Sequence, residues 1–191
     1  MTKLSIRRGT PADAPTLARF AARTFEETFG AANHPAHMAE HLASAYGVAQ
    51  QERELSNPDC ITLLIEADGE LAGYAQVRRH PPPSCVPSPA PVELARFYVD
   101  RPWQGRGLAQ RLMAMVAETA VELGGRTVWL GVWERNPRAI AFYTKCGFSD
   151  AGSTEFCVGP DRQTDRVLAA EVGRLREGRP TRGTGAGGGG G

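Results

Sequence analysis

No two cysteines of this sequence stand close enough to form a CxxC pair. Cys60, Cys85, Cys146 and Cys157 are scattered singly, which gives neither a zinc knuckle nor the dense framework of a secreted disulfide scaffold. Reduced thiols in a cytoplasmic protein are the expectation. Charge of one sign is also scarce. Over 191 residues, 22 Lys and Arg face 21 Asp and Glu, a net charge of +1, and so weak a global field is not expected to recruit nucleic acid or an anionic membrane. No apolar run approaches the roughly 20 residues of a membrane span, and no cationic, apolar leader opens the chain. A soluble protein is expected. Two nucleotide signatures are missing: there is no GxxxxGK[ST], and Gly105-Arg106-Gly107 lacks the third glycine of GxGxxG. His37 and His41 stand at i and i+4, yet no glutamate in HExxH register and no third ligand accompany them, so no metal is expected.

What the chain does contain is organised around residues 93–115. Leu94, Phe97, Tyr98 and Val99 form a short apolar and aromatic run that predicts a strand over 93–99. Asp100, Arg101 and Pro102 stop it. A loop with Gly105 and Gly107 follows, and then Leu108, Ala109, Leu112, Met113, Val116 and Ala117 recur at helical spacing. A glycine loop opening a helix is suited to anions. The first-turn N–H groups lack intrahelical partners and carry partial positive charge, and glycine lets the backbone approach a phosphate closely. On its own, the pattern Gln104-x-x-Gly107-x-Ala109 fits either such a loop or an ordinary turn before an amphipathic helix.

The rest of the chain reads as a single domain of 1–172, large enough for a core without staples. A strand is predicted over 4–8. Thr10, Pro11 and Asp13 then supply an N-cap, a proline at N1 and an acidic residue three past the cap, so a helix begins there, with Leu17, Phe20, Ala21, Thr24, Phe25 and Thr28 inward and Gly30 as its stop. Asn33 is the expected cap of a second helix over 37–46, with a further short helix within 47–55. Residues 61–67 and 70–79 flank Asp68-Gly69, a pair suited to the two φ > 0 positions of a type I′ turn, so they form a hairpin in which Gly73 marks a bulge or a close backbone approach. The proline-rich stretch 80–91 is a stiff loop, either a connection or a wall of a binding site. A buried strand is predicted over 127–132, completing a right-handed strand-helix-strand unit. Asn136-Pro137 caps a helix that Gly147 closes, and strands near 148–158 and 165–172 follow. Residues 173–191, ending in TRGTGAGGGGG, lack an apolar period and are expected to be a disordered Gly/Arg-rich tail.

Two segments taken together, LARFYVDRPWQGRGLAQRL and NPRAIAFYTKCGF, resemble the cofactor-binding motifs of the GNAT superfamily of N-acetyltransferases. The first resembles its (Q/R)xxGx(G/A) pyrophosphate loop, the second its N-x-x-A-x-x-F-Y-x-x-x-G-F signature. The resemblance spans roughly 4–172, and the wording around both segments is similar to the PaiA-type polyamine acetyltransferase branch. It implies an α/β (α+β) fold: a single GNAT-like domain with a mixed, mostly antiparallel sheet of about seven strands, a parallel central pair, and helices on both faces. It also implies acetyl-CoA as donor substrate, a small-molecule primary amine as acceptor, and homodimer formation through late strands.

On that resemblance, acetyl transfer needs the acceptor ammonium deprotonated, the oxyanion stabilised and the thiolate protonated. Glu93 is the candidate base, acting directly or through water, or else an edge-exposed glutamate or a salt-bridge partner of Arg96. Tyr143 is the candidate acid, or else a core tyrosine. Backbone groups of Phe97, Tyr98 and Val99 are candidates for the oxyanion and pantetheine. Gln104, Gly105, Arg106, Gly107, Leu108, Ala109 and Gln110 would hold the pyrophosphate, helped by Arg106 and Arg111, with Arg101 exposed. Asn136 is a helix cap or a cofactor ligand. A polyamine acceptor would call on Glu26, Glu27, Asp161 and Asp165. Two alternatives stay open: a non-catalytic acyl-CoA-binding regulatory module, or transfer to a protein or antibiotic amine.

Overall fold

The computed structural model describes residues 2–86, 88–158 and 161–177. The elements in chain order are β1 (Leu4–Arg8), α1 (Ala14–Phe29), α2 (Pro35–Tyr46), α3 (Val48–Leu55), β2 (Cys60–Ala67), β3 (Glu70–Arg78), β4 (Pro91–Val99), α4 (Leu108–Glu122), β5 (Thr127–Trp133), α5 (Pro137–Cys146), β6 (Ser149–Val158), β7 (Asp161–Glu171) and α6 (Val172–Glu177). Seven strands make one sheet in the order β1-β2-β3-β4-β5-β7-β6. Every neighbouring pair is antiparallel except β4 and β5, which are parallel.

Alternation along the strands sorts side chains to two cores. Leu63 and Ile65 of β2 and Ala75 and Val77 of β3 meet Leu108, Leu112, Val116, Ala117 and Ala120, the buried stripe of α4. Leu64 and Tyr74, one residue out of phase, meet Leu17, Phe20, Ala21 and Phe25 of α1, together with Met38 and Tyr46 of α2. Each layer removes apolar surface from water at about 25 cal/mol per Å².

The local devices are those the residues dictate. Asp13 accepts from the Thr10 amide at 2.8 Å, and a proline-led 3₁₀ turn opens α1. Asp68 at φ 52° and Gly69 at φ 86° turn β2 into β3. Gly73 is a close approach: a Cβ there would stand 2.6 Å from the Tyr98 carbonyl oxygen. The register of β4 on β3 jumps between Arg96↔Gln76 and Leu94↔Val77, so Ala95 is an extra residue, a β-bulge.

Some expectations need correction. The cap of α2 is His34, whose Nδ1 accepts from the Ala36 amide, whereas Asn33 bonds the Phe29 carbonyl through its own amide. β4 begins at Pro91, and β7 runs from Asp161, earlier than 165. Residues after 172 begin as a helix, and Leu175 is buried in the α4 core; 178–191 lie outside the described residues. The loop after β3 places Val86 on Trp129 and Val167, where it covers the sheet. Among the described residues, no helix is long and apolar enough to cross a membrane.

Candidate active site

The two parallel strands pair only at Pro91↔Thr127, Val92↔Val128 and Glu93↔Trp129, while β4 stays on β3 as far as Val99. Beyond Glu93 the strands splay. The edge of β4 that faced β5 is thereby released from its ladder over residues 94–99, leaving main-chain groups available to a ligand. Two cavities meet at this wedge. One, of about 610 Å³, runs over β4 toward α4 and α5 and is lined by Phe97, Tyr98, Val99, Trp103, Gln104, Gly105, Ala109, Gln110, Asn136, Arg138 and Tyr143 among others. The other, of about 380 Å³, opens on the α1 side and is lined by residues that include Phe25, Phe29, His41, Tyr46, Glu93, Arg96, Trp133, Phe156, Gln163 and Asp165. Thr28, Phe97, Tyr98, Asn136, Ala139 and Tyr143 line both.

The glycine loop is shaped for close approach. Gly105 and Gly107 sit at φ 75° and 83°, where a side chain would be strained, and no atom lies within 4 Å of where a Cβ would stand. The amide of Arg111 donates to the Gly107 carbonyl at 3.2 Å, so the helical ladder starts there, and the amides just before it are those a helix start leaves without i−4 partners. These features fit a pyrophosphate. Gln104 ties the loop to the strand by donating from Nε2 to the Val99 carbonyl at 2.9 Å.

The side chains expected around that loop divide. Leu108 is buried in the core, leaving only its backbone to a ligand, and the Arg106 guanidinium lies over the Trp103 ring, 5.2 Å from its centroid. Arg101 is exposed but bonds the Glu27 carbonyl. Asn136 is a helix cap: its Oδ1 accepts from the Ala139 amide at 3.1 Å, and the same residue faces both cavities.

Glu93 has a partner, and it is Arg78, whose Nε donates to Oε2 at 2.5 Å. The residues are neighbours across the β3–β4 ladder. Arg96 instead pairs with Glu54 and lies over the Tyr46 ring. Tyr143 is packed edge-on against Phe97, Phe142 and Phe148. Burial, with the Cys146 thiol nearby, raises its phenol well above the usual range, so it stays protonated,. Of the four carboxylates considered for a cationic acceptor, Asp165 lines the smaller cavity; Glu26 is on the wall of neither cavity, Glu27 is paired with Arg23 and Arg101, and the Asp161 side chain lies outside the described residues. Burial first, then the charge of Glu134, push the Asp165 carboxyl up to about 6. The sequence reading missed Tyr46, Trp133, Phe156, Gln163 and Arg138 as cavity residues.

The model of the acetyltransferase (GNAT) family matches residues 20–148. This chain belongs to that family. It is 32% identical over 168 residues to an N-acetyltransferase of Lactobacillus delbrueckii subsp. lactis, covering 88% of this chain and 97% of that protein. A spermine/spermidine N(1)-acetyltransferase of Bacillus subtilis is 29% identical over 90 residues, 47% of this chain and 59% of that one. The fold is similar to the crystal structure of the PaiA N-acetyltransferase from Thermoplasma acidophilum in complex with coenzyme A, with TM-score 0.71, 18% identity, and coverage of 88% of this chain and 99% of that chain. The GNAT chain described here is thus an acetyl-CoA-dependent N-acetyltransferase, with a seven-stranded sheet that carries its parallel pair at the centre.

Proposed function

We propose that this acetyltransferase moves the acetyl group directly from acetyl-CoA to the primary amine of a small molecule, the donor entering over β4 and the acceptor through the α1-side cavity. The observation that carries the reading is the shared wall of the two cavities, where Tyr143, Phe97 and Asn136 face both. No cysteine is among the described residues lining either cavity, which favours direct attack over an acyl-enzyme.

In this reading the backbone of 104–110 holds the pyrophosphate, and the released edge at Phe97 and Val99 supplies hydrogen bonds to pantetheine and to the thioester oxygen as it gains charge, while the Tyr98 carbonyl faces β3,. The acceptor ammonium begins with three N–H bonds. Glu93 takes one proton, directly or through water, its other oxygen remaining with Arg78. The freed lone pair forms the C–N bond, and the C–S bond breaks as the tetrahedral intermediate collapses. Tyr143 donates a proton to the departing thiolate and is refilled by the second proton leaving nitrogen, so the third stays on the amide. A polyamine is one candidate within this class, suggested by likeness to the Bacillus subtilis spermine/spermidine enzyme over 47% of this chain.

Steady-state acetylation of an amine panel (spermidine, a monoamine, an aminoglycoside, a peptide N-terminus) tests the acceptor class. For the mechanism, Tyr143→Phe should lower kcat by about 10²-fold while leaving KM for acetyl-CoA within about twofold. Equal losses in both would make Tyr143 a binding residue, and turnover confined to the peptide would remove the small-molecule acceptor.

A further inference from the structure

The donor accounts for the larger cavity, but the smaller one has more structure than proton removal requires. Its walls carry a connected train of rings. Phe25 has its centroid 4.6 Å from Phe29 and 5.1 Å from Tyr46, Phe29 lies 5.8 Å from Trp133, and His41 bridges Phe25 at 4.9 Å and Phe156 at 5.8 Å. These residues come from α1, α2, β5 and β6, and all of them line the cavity.

Its charges are mostly spent. Arg78 is held by Glu93, and Arg96 by Glu54. Asp165 is different: among the described residues no cation is seen paired with it, and the charge of Glu134 repels it. Glycine at 131 makes room for it, since a Cβ there would stand 3.1 Å from Asp165 Oδ2. Asp165 is also the cross-strand partner of Trp133, and directly opposed residues project to the same face of a sheet. A half-buried carboxylate without a cation carries a desolvation cost that a bound ammonium would relieve.

We propose that the acceptor is a primary amine with a single ammonium and a flat apolar body, Asp165 seating the ammonium while Phe25, Phe29, Tyr46, Trp133 and Phe156 enclose the body. This deepens the acetyltransferase reading above and rests on it. Aromatic faces attract both the apolar body and the edge of the cation. A linear polyamine would bring a second ammonium for which no other unpaired carboxylate stands among the described lining residues. A volume of about 380 Å³ is at the small end of ligand sites. Asp165 is thus a specificity residue, while Glu93 keeps the proton.

The test compares 2-phenylethylamine with spermidine as acceptors, using the full chain at saturating acetyl-CoA. The wild type should favour 2-phenylethylamine by tenfold or more in kcat/KM. Asp165→Asn should raise KM for 2-phenylethylamine about 10- to 100-fold, the worth of a charge-assisted hydrogen bond, with kcat and KM for acetyl-CoA much less affected. Asp165→Glu, which keeps the charge, should recover part of that loss. In the wild type, kcat/KM for the amine should fall below about pH 6 as Asp165 takes up a proton, and the limb should vanish in Asp165→Asn. The charged and titratable groups around Asp165 and the cavity are Glu134, Glu93 with Arg78, Arg96 with Glu54, and His41, so disappearance of the limb in the single variant is what assigns it. Preference for spermidine, an unchanged amine KM in Asp165→Asn, or equal loss in the Asn and Glu variants would overturn the proposal while leaving the acetyltransferase reading intact. Failure of every amine in the wider panel would bring down both.

Discussion

A carboxylate that lacks a cation is a cost to the fold, and Asp165 shows where that cost appears. Its carboxyl titrates near 6 in the folded chain, against the usual 3.8, so the native state holds this proton more tightly than the unfolded state does. The sign follows: stability from this group is present below about pH 4 and is lost as pH rises through about 6. Asp165→Asn should therefore melt higher than the wild type at pH 7.5, with the difference shrinking as pH falls from 6 to 4. Melting curves across that range check it, and a variant that melts lower at every pH would mean the carboxylate is satisfied. Gain of stability with loss of amine binding is the signature of a residue kept for function. The Glu54 carboxylate is the opposite case. Burial opposes its ionised form, yet Arg96, Gln76 and Gln50 together lower it below the usual range, so Arg96 belongs to the scaffold around the site.

Elements were legible where a single residue type decides the backbone. Asp68-Gly69 announced the hairpin because few other pairs tolerate two positive φ values, and Pro137 after Asn136 announced α5 for the same kind of reason,. Gly73 was readable as a bulge or a close approach, and both are present: the register jumps from Ile65↔Gly73 to Glu66↔Leu71, leaving Ala72 extra beside it, and the Tyr98 carbonyl stands against its Cα. Gly73→Ala should drive a Cβ into the Tyr98 carbonyl and cost about 1–3 kcal/mol, seen as a lower denaturant midpoint; a wild-type midpoint would mean that β3 and β4 separate freely. Local cues failed where pairing across the sheet decides. The partner of Glu93 is set by β3–β4 register, which places Arg78 opposite it, and three-residue proximity to Arg96 carries no such information. The aromatic wall was invisible for a related reason. Phe25, Tyr46, Trp133 and Phe156 belong to four elements far apart in sequence, and each one alone reads as core. The glycine in TVWLGVW was a signal that could have been used, since a glycine inside an apolar strand suggests that something approaches its face, here Asp165.

For the whole molecule the decisive feature is the splay of β4 from β5, because it opens a wedge at which two cavities share a common wall. A sheet with an open wedge has left main-chain hydrogen bonds unmade, and a ligand that fills the wedge completes them. Coenzyme A at about 100 times its Kd should stabilise the fold by about 2.7 kcal/mol, which for a domain of this size is roughly 5–10 °C in Tm. Thermal shift with coenzyme A measures it, and absence of any shift would remove the donor cavity from consideration.

The bulge at Ala95 bears on how this strand tolerates change. On a regular strand, Glu93 would share its face with residues 95 and 97; the extra residue instead puts Arg96 and Tyr98 beside it in the α1-side cavity and packs Phe97 and Val99 against the α4 core. Chain length is read there more strictly than composition. Losing one residue from the middle of β4 would leave its hydrophobicity almost unchanged, yet it would exchange the two faces of everything downstream, sending the Arg96 guanidinium toward the α4 core and Phe97 and Val99 away from it. For anyone transplanting this strand between relatives, the thing to conserve is the count between Glu93 and Arg96.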